Sequence, residues 1–134
     1  QIARLLREIA VDIESNDVAR VVRHISGTTP ELVAQVQRLM PKYEFHVAKV
    51  KSNLEIEWNR PDQPTAVEAR FNAVFRVSER RGQLRHLLSP WFFIVRFVRE
   101  DGTWKAISYE RRDPREGYQR KSSDEKGRGP GPAP

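Results

Sequence analysis

The chain has 134 residues, 24 Lys+Arg against 18 Asp+Glu, a formal net charge of +6 and a pI of about 10.1. That is one domain's length. With no cysteine, disulfides, thiolate metal sites and cysteine nucleophiles are excluded, and no apolar run reaches the ~18 residues of a membrane-crossing helix.

Ile2, Leu5, Leu6, Ile9, Ala10 and Ile13 recur at helical spacing, which predicts an amphipathic helix of about three turns. Arg4, Arg7, Glu8 and Asp12 are expected on its wet face. Ser15-Asn16-Asp17 supplies capping oxygens for a second, shorter helix with Val18, Val21, Val22 and Ile25 inside and Gly27 at its end. Thr29-Pro30 opens a third helix, where the missing N–H of Pro30 costs nothing. Leu32, Val33, Val36, Leu39 and Met40 form its buried stripe, and Pro41 stops it.

After Pro41 the period changes from helical to two. Tyr43, Phe45 and Val47 alternate with polar neighbours, but Leu54, Ile56 and Trp58 carry the opposite phase. A bulge or bend near Lys51–Asn53 would absorb the slip. Asn59–Thr65 reads as a turn. From Val67 to Val77 every odd position is apolar, while Glu68, Arg70, Asn72 and Arg76 take the other face. Leu87–Val98 is apolar on both faces, which suits a central strand or one with a subunit partner outside. Pro90 within it predicts an irregular ladder. Asp101-Gly102 is a hairpin turn, and Trp104–Glu110 is the last strand. Residues 111–134 hold seven of the basic residues and eight Gly or Pro, but only Tyr118 and Ala133 are apolar. The expected domain is therefore 1–112, followed by a disordered basic Gly/Pro-rich tail over 113–134.

Helices followed by a meander of long strands indicate an α+β domain. The expected architecture is three N-terminal helices packed on a curved four-stranded antiparallel sheet. The helix order, Ser15-Asn16-Asp17 and the closing Asp101-Gly102-Thr103-Trp104-Lys105-Ala106-Ile107 resemble the nuclear transport factor 2-like superfamily, whose small bacterial members are called SnoaL-like or polyketide-cyclase-like. The resemblance covers about residues 2–112. The chain departs from it at Ser26–Thr29, which leaves no room for the strand often found between helices two and three. The resemblance implies a cone-shaped, cystatin-like α+β roll whose concave face holds a small apolar ligand. It also implies dimerisation through the outer sheet face. Enzymes of the superfamily place an Asp or His in the cone as acid or base, whereas other members are non-catalytic.

The residues leave several readings open. No strand contains an aspartate, which weighs against a carboxylate catalyst there; Asp12 and Asp17 read as helix surface and cap. His46 and Glu110 are the candidate acid–base groups, with a surface or structural role for His46 as the plainer reading. His24, near a helix end, reads as structural. Phe45, Arg70, Phe71, Asn72, Phe75 and Phe93 are the candidate ligand-binding residues, Arg70 gripping a carboxylate. The plainer reading of Glu68, Arg70, Asn72 and Arg76 is a solvated sheet face. The three histidines are too scattered for a metal motif, so neither metal nor other cofactor is expected. Acidic residues interspersed among the arginines and the lack of an aromatic-plus-basic motif argue against nucleic acid.

The function expected is a non-catalytic module that binds a small apolar ligand or another protein, with a second copy of itself as the expected partner. The alternative is an isomerase, dehydratase or cyclase acting on a small hydrophobic substrate in the cone. The homodimer rests on Leu88, Phe92, Ile94 and Val98, one face of a strand whose other face the helices cover. Gln1 opens the sequence and the one methionine is Met40, so a preceding segment is expected to have been removed. A cytoplasmic location is expected, with an exported or anchored parent left open.

Overall fold

The computed structural model describes residues 1–118. Three helices, α1 (Ile2–Glu14), α2 (Val18–Val22) and α3 (Pro30–Leu39), precede the sheet, and a 3-10 turn (Met40–Lys42) joins α3 to it. The strands are β1 (Tyr43–Val50), β2 (Glu55–Trp58), β3 (Ala66–Glu79), β4 (Leu87–Glu100) and β5 (Thr103–Arg112). All strand pairs are antiparallel, in the order β1-β3-β4-β5, and β2 pairs with β3. This is the expected α+β architecture of helices on an antiparallel sheet.

The sheet has five strands rather than four because the segment after Pro41 breaks instead of bending. At the break Asn53 replaces the ladder: its Oδ1 accepts the Asn72 backbone N–H at 3.0 Å, and its Nδ2 donates to Asn72 Oδ1 at 2.6 Å. Two strands of opposite apolar phase thereby share one neighbour, β3. The bulge lies elsewhere, at His46, where the β1–β3 register shifts between Phe45 and Val47. Pro90 pairs in register with Val74, and the second irregularity falls on the β4–β5 ladder at Arg96/Phe97. The Asp101-Gly102 turn forms as expected, with both residues at positive φ.

The helices differ from expectation in one place. Asp17 caps α2 by accepting from the Ala19 N–H, but α2 ends at Val22, well short of Gly27. Ile25 has left the helix to bridge Ala106 of β5; Ala106 N–H donates to His24 O and Ser26 N–H to Ala106 O. This bridge stands where the sequence left no room for a full strand. It covers the β5 edge, while Asn16, bonded both ways to the Phe45 backbone, and Glu14, accepting from Ala48 N–H, cover the β1 edge.

The apolar stripe of α1 lies on the concave sheet face. Ile2 and Leu6 join Val67, Ala69, Phe71, Ala73 and Phe97 in the buried core. Of these, Ile2, Leu6, Val67, Phe71 and Phe97 each contribute about 1.5–3 kcal/mol by leaving water.

Residues 114–118, expected to be unstructured, form a helical turn, and Gly117 within it is buried. The Pro114 carbonyl accepts a 2.8 Å hydrogen bond from Asn72 Nδ2. The expectation is corrected there because one buried amide and one residue without a side chain suffice to dock a segment poor in apolar groups. The rest of the expected tail, 119–134, lies outside the described residues.

Candidate functional site

Between the helices and the concave sheet lies a cavity of about 440 Å³. The period-two pattern explains its lining. Phe71, Ala73, Phe75 and Val77 project inward from β3, facing apolar residues of α1 and α3 such as Ile9, Leu32 and Val36. Alanines at positions 10, 48, 73 and 106 are too small to fill the space between these elements. Leu84, Leu87 and Arg111, all exposed yet part of the lining, mark the open end. There the Arg111 guanidinium lies 4.5 Å from the centre of the Trp91 ring.

Four of the expected ligand-binding residues, Phe45, Phe71, Phe75 and Phe93, meet in this wall. Phe93 stacks on Phe71 at 5.8 Å and takes Phe75 edge-on at 5.9 Å, and Phe75 meets Phe45 edge-on at 6.0 Å. Such pairs hold one another in place. The wall is therefore preformed.

The other two candidates lie on the convex face. Arg70 is held by the chain's own carboxylates, Glu57 at 3.3 Å and Glu68. Asn72 is buried and bonded to Asn53 and Pro114. Their placement differs from the expected one because even-numbered residues of β3 point away from the helices.

Neither expected acid–base group lines the cavity. His46 sits at the β1 bulge, with Nε2 2.9 Å from Ser78 Oγ and its ring stacked on His86 at 4.4 Å. Ser78 Oγ also accepts the His86 N–H at 2.9 Å. Glu110 is paired with Arg112 at 2.7 Å on the surface. Among the described residues, no group of three His, Asp or Glu is placed to hold a metal ion.

Besides Lys49, Glu79, Ser89, Ser108, Tyr109 and Arg111, the lining holds a buried polar group that the sequence pattern assigned a structural role. His24 lines the cavity, and its Nε2 lies 2.7 Å from Asp12 Oδ2. Asp12 is 5% exposed, which corrects its assignment to the wet face of α1. Arg23 Nη2 also donates to Asp12 Oδ2, at 3.0 Å. Burial pushes the Asp12 carboxyl up, but hydrogen bonds and charge from His24 and Arg23 outweigh it and hold the group below its ordinary range. Asp12 stands three residues after Ile9 and seven after Leu5, the spacing of the apolar stripe. That spacing was the available signal. An ionised carboxylate can only accept, so Nε2 of His24 is the donor.

No protein-family model matches the sequence, and no curated protein matches it. Among the solved structures that match it in fold are two from bacteria. One, from Exiguobacterium sibiricum, is provisionally described as a Ca/calmodulin-dependent kinase II association domain. It is 12% identical, covers 85% of this chain and 92% of its own, and has a TM-score of 0.65. The other, from Nostoc punctiforme, is a protein of unknown function with a cystatin-like fold. It is 12% identical, covers 82% of this chain and 86% of its own, and has a TM-score of 0.57. These likenesses fit the nuclear transport factor 2-like fold expected from the sequence.

Proposed function

We propose that this chain is a small-ligand-binding module of the nuclear transport factor 2-like superfamily, holding an apolar molecule in its concave cavity. The observation that carries the reading is the cavity of about 440 Å³ walled by Phe45, Phe71, Phe75 and Phe93. Its volume is within the usual range for small-molecule sites, and an apolar wall with few polar groups is their usual composition. The reading requires no metal or organic cofactor. The module also self-associates; the description of the Exiguobacterium neighbour as an association domain favours that part. The enzyme alternative loses its two named acid–base groups, since His46 and Glu110 are not in the lining.

Titration of the purified chain with Nile red, a neutral dye that brightens in apolar surroundings, tests the cavity. Saturable binding is expected, weakened at least tenfold by Ala73→Leu, which fills the space beside Phe71 and Phe75. Absence of saturable binding to the folded chain would refute the reading.

A further inference from the structure

We propose that the cavity takes the alkyl chain of a fatty acid, with the carboxylate held at the open end by Arg111 and Tyr109. This rests on the cavity reading above and names its ligand class.

The charge balance of the sheet singles out Arg111. On the convex face Arg70, Arg96 and Arg112 each meet a carboxylate of the chain itself. Arg111 makes no ion pair and donates no hydrogen bond among the described residues; its guanidinium lies over the Trp91 ring instead. The ladder fixes its direction. Arg111 stands opposite Phe93, and directly opposed residues of antiparallel strands share a face, so Arg111 is on the concave side. Trp91, two residues before Phe93, is on that side too, and both Trp91 and Arg111 line the cavity. Trp91 is held in turn by its Nε1–H, which donates to Ser89 Oγ at 2.8 Å.

Tyr109 adds a second donor. It lies two residues before Arg111 on the same face of β5, opposite Val95, and it also lines the cavity. Its hydroxyl oxygen accepts from Gln35 Nε2 at 3.4 Å, which leaves the phenolic proton for an acceptor. The other charged groups of the lining do not cancel Arg111. Lys49 is opposite Val74 and so belongs to the convex side. Glu79 Oε1 accepts the Leu84 N–H at 3.3 Å and lies against Gly82, turned into the loop between β3 and β4. His24 is bonded to Asp12.

An unbalanced cation at the rim of an apolar cavity selects a ligand divided in the same way, apolar along its body and anionic at one end. A guanidinium fork beside a hydroxyl suits the two oxygens and single charge of a carboxylate. At the open end the carboxylate keeps part of its hydration while the chain leaves water. The helix side of the cavity is aliphatic, with Ile9, Leu32, Val36 and Leu39, and exposed Leu84 and Leu87 flank the mouth. Such a path suits a flexible alkyl chain.

The test compares dodecanoate, below its micelle concentration, with dodecan-1-ol, which keeps the chain but carries no charge. Calorimetric titration of the full chain should give dodecanoate about tenfold tighter binding, the value of one charge-assisted hydrogen bond, and less of a preference as salt is raised. Dodecanoate should also displace Nile red. Arg111→Gln should bring the two ligands to parity while dodecan-1-ol still binds, with folding checked by circular dichroism. Tyr109→Phe should reduce the preference. Arg96→Gln, which removes the same charge from the convex face, should leave it intact. Equal or weaker binding of dodecanoate to the wild-type chain, with Nile red still bound, would overturn this inference and leave the cavity reading standing. A preference that survives in folded Arg111→Gln, or is lost equally in Arg96→Gln, would likewise overturn it. So would dodecanoate binding that leaves Nile red in place, since the anion would then sit elsewhere on the basic surface. Failure of Nile red and both amphiphiles to bind would overturn the two readings together.

Discussion

Asn72 Nδ2 donates to the Pro114 carbonyl across 2.8 Å, tying the middle of β3 to the residues that follow β5. Asn72 is buried; its Oδ1 and backbone N–H are bonded to Asn53, and its backbone carbonyl accepts from the Lys51 N–H. One amide thus holds both the break between β1 and β2 and the start of the C-terminal segment. Beside it, Gly117 is packed so closely that a Cβ there would overlap Asn72 Oδ1 and come within 2.6 Å of Phe92 Cδ1.

Removal of the segment should therefore be felt. A chain ending at Asp113 loses the acceptor for Asn72 and uncovers Phe92, at a cost of about 2 kcal/mol. For a chain of this size the melting temperature should fall by roughly 6–10 °C. Gly117→Ala should lower it in the same direction, and a chain ending at Tyr118 isolates the contribution of 114–118. Unchanged melting of the Asp113 truncation, the outcome that composition alone predicts, would mean that the docked turn contributes nothing.

Asp12 makes stability depend on acid pH. Its folded-state pKa is held below the ordinary carboxylate value, so its contribution is complete above the unfolded pKa of about 3.9 and lost as pH falls through the folded value. Asp113, lowered to about 2 by side-chain and backbone hydrogen bonds from Arg115, acts in the same direction at lower pH, but it is exposed and screened. Melting temperature should drop between pH 5 and pH 2 more steeply in the wild-type chain than in Asp12→Asn. Near neutral pH the variant should be less stable by about 1–2 kcal/mol. Parallel curves would remove Asp12 from the account.

Much of the fold is legible because burial is written in local periods. The odd-numbered apolar positions from Val67 to Val77 identify β3 and its inward face, and two of the six expected ligand residues, Phe71 and Phe75, follow from the same alternation. Asp12 shows where such reading stops. A buried carboxylate is stable only beside its partner, and that partner, His24, is reached by folding α1 against the end of α2 rather than by any spacing along one element. The place of the break near Lys51–Asn53 is legible but its form is not, for a similar reason: Asn53 fills the gap through a side chain bonded to the backbone of residue 72, nineteen positions away. The helix end was misplaced because Ile25 is claimed by β5.

His46 and Glu110 supply a negative prediction. Both lie outside the cavity lining, so Glu110→Ala and His46→Ala should leave Nile red affinity within twofold of wild type. His46→Ala should cost about 1 kcal/mol through the hydrogen bond to Ser78 and the stack on His86. Loss of binding in either folded variant would place that residue at the site after all.

Self-association is the remaining prediction, and its structural basis has moved. Of the four outer-face residues behind it, Phe92 and Ile94 are buried within the chain itself, and Gly117 packs on Phe92. Leu88 stays 59% exposed on the outer face, while exposed Leu87 and Leu84 line the open end of the cavity. An exposed leucine on the outer face loses contact with water when a second copy packs on it, and a two-fold pair repeats that contact on both partners. Light scattering at micromolar concentration should therefore give about twice 15.6 kDa. Leu88→Glu places a charge at that contact and should return the mass to that of one chain without altering the melting of the isolated fold. A wild-type mass near 15.6 kDa would exclude the dimer, and a dimer unaffected by Leu88→Glu would put its interface on another face.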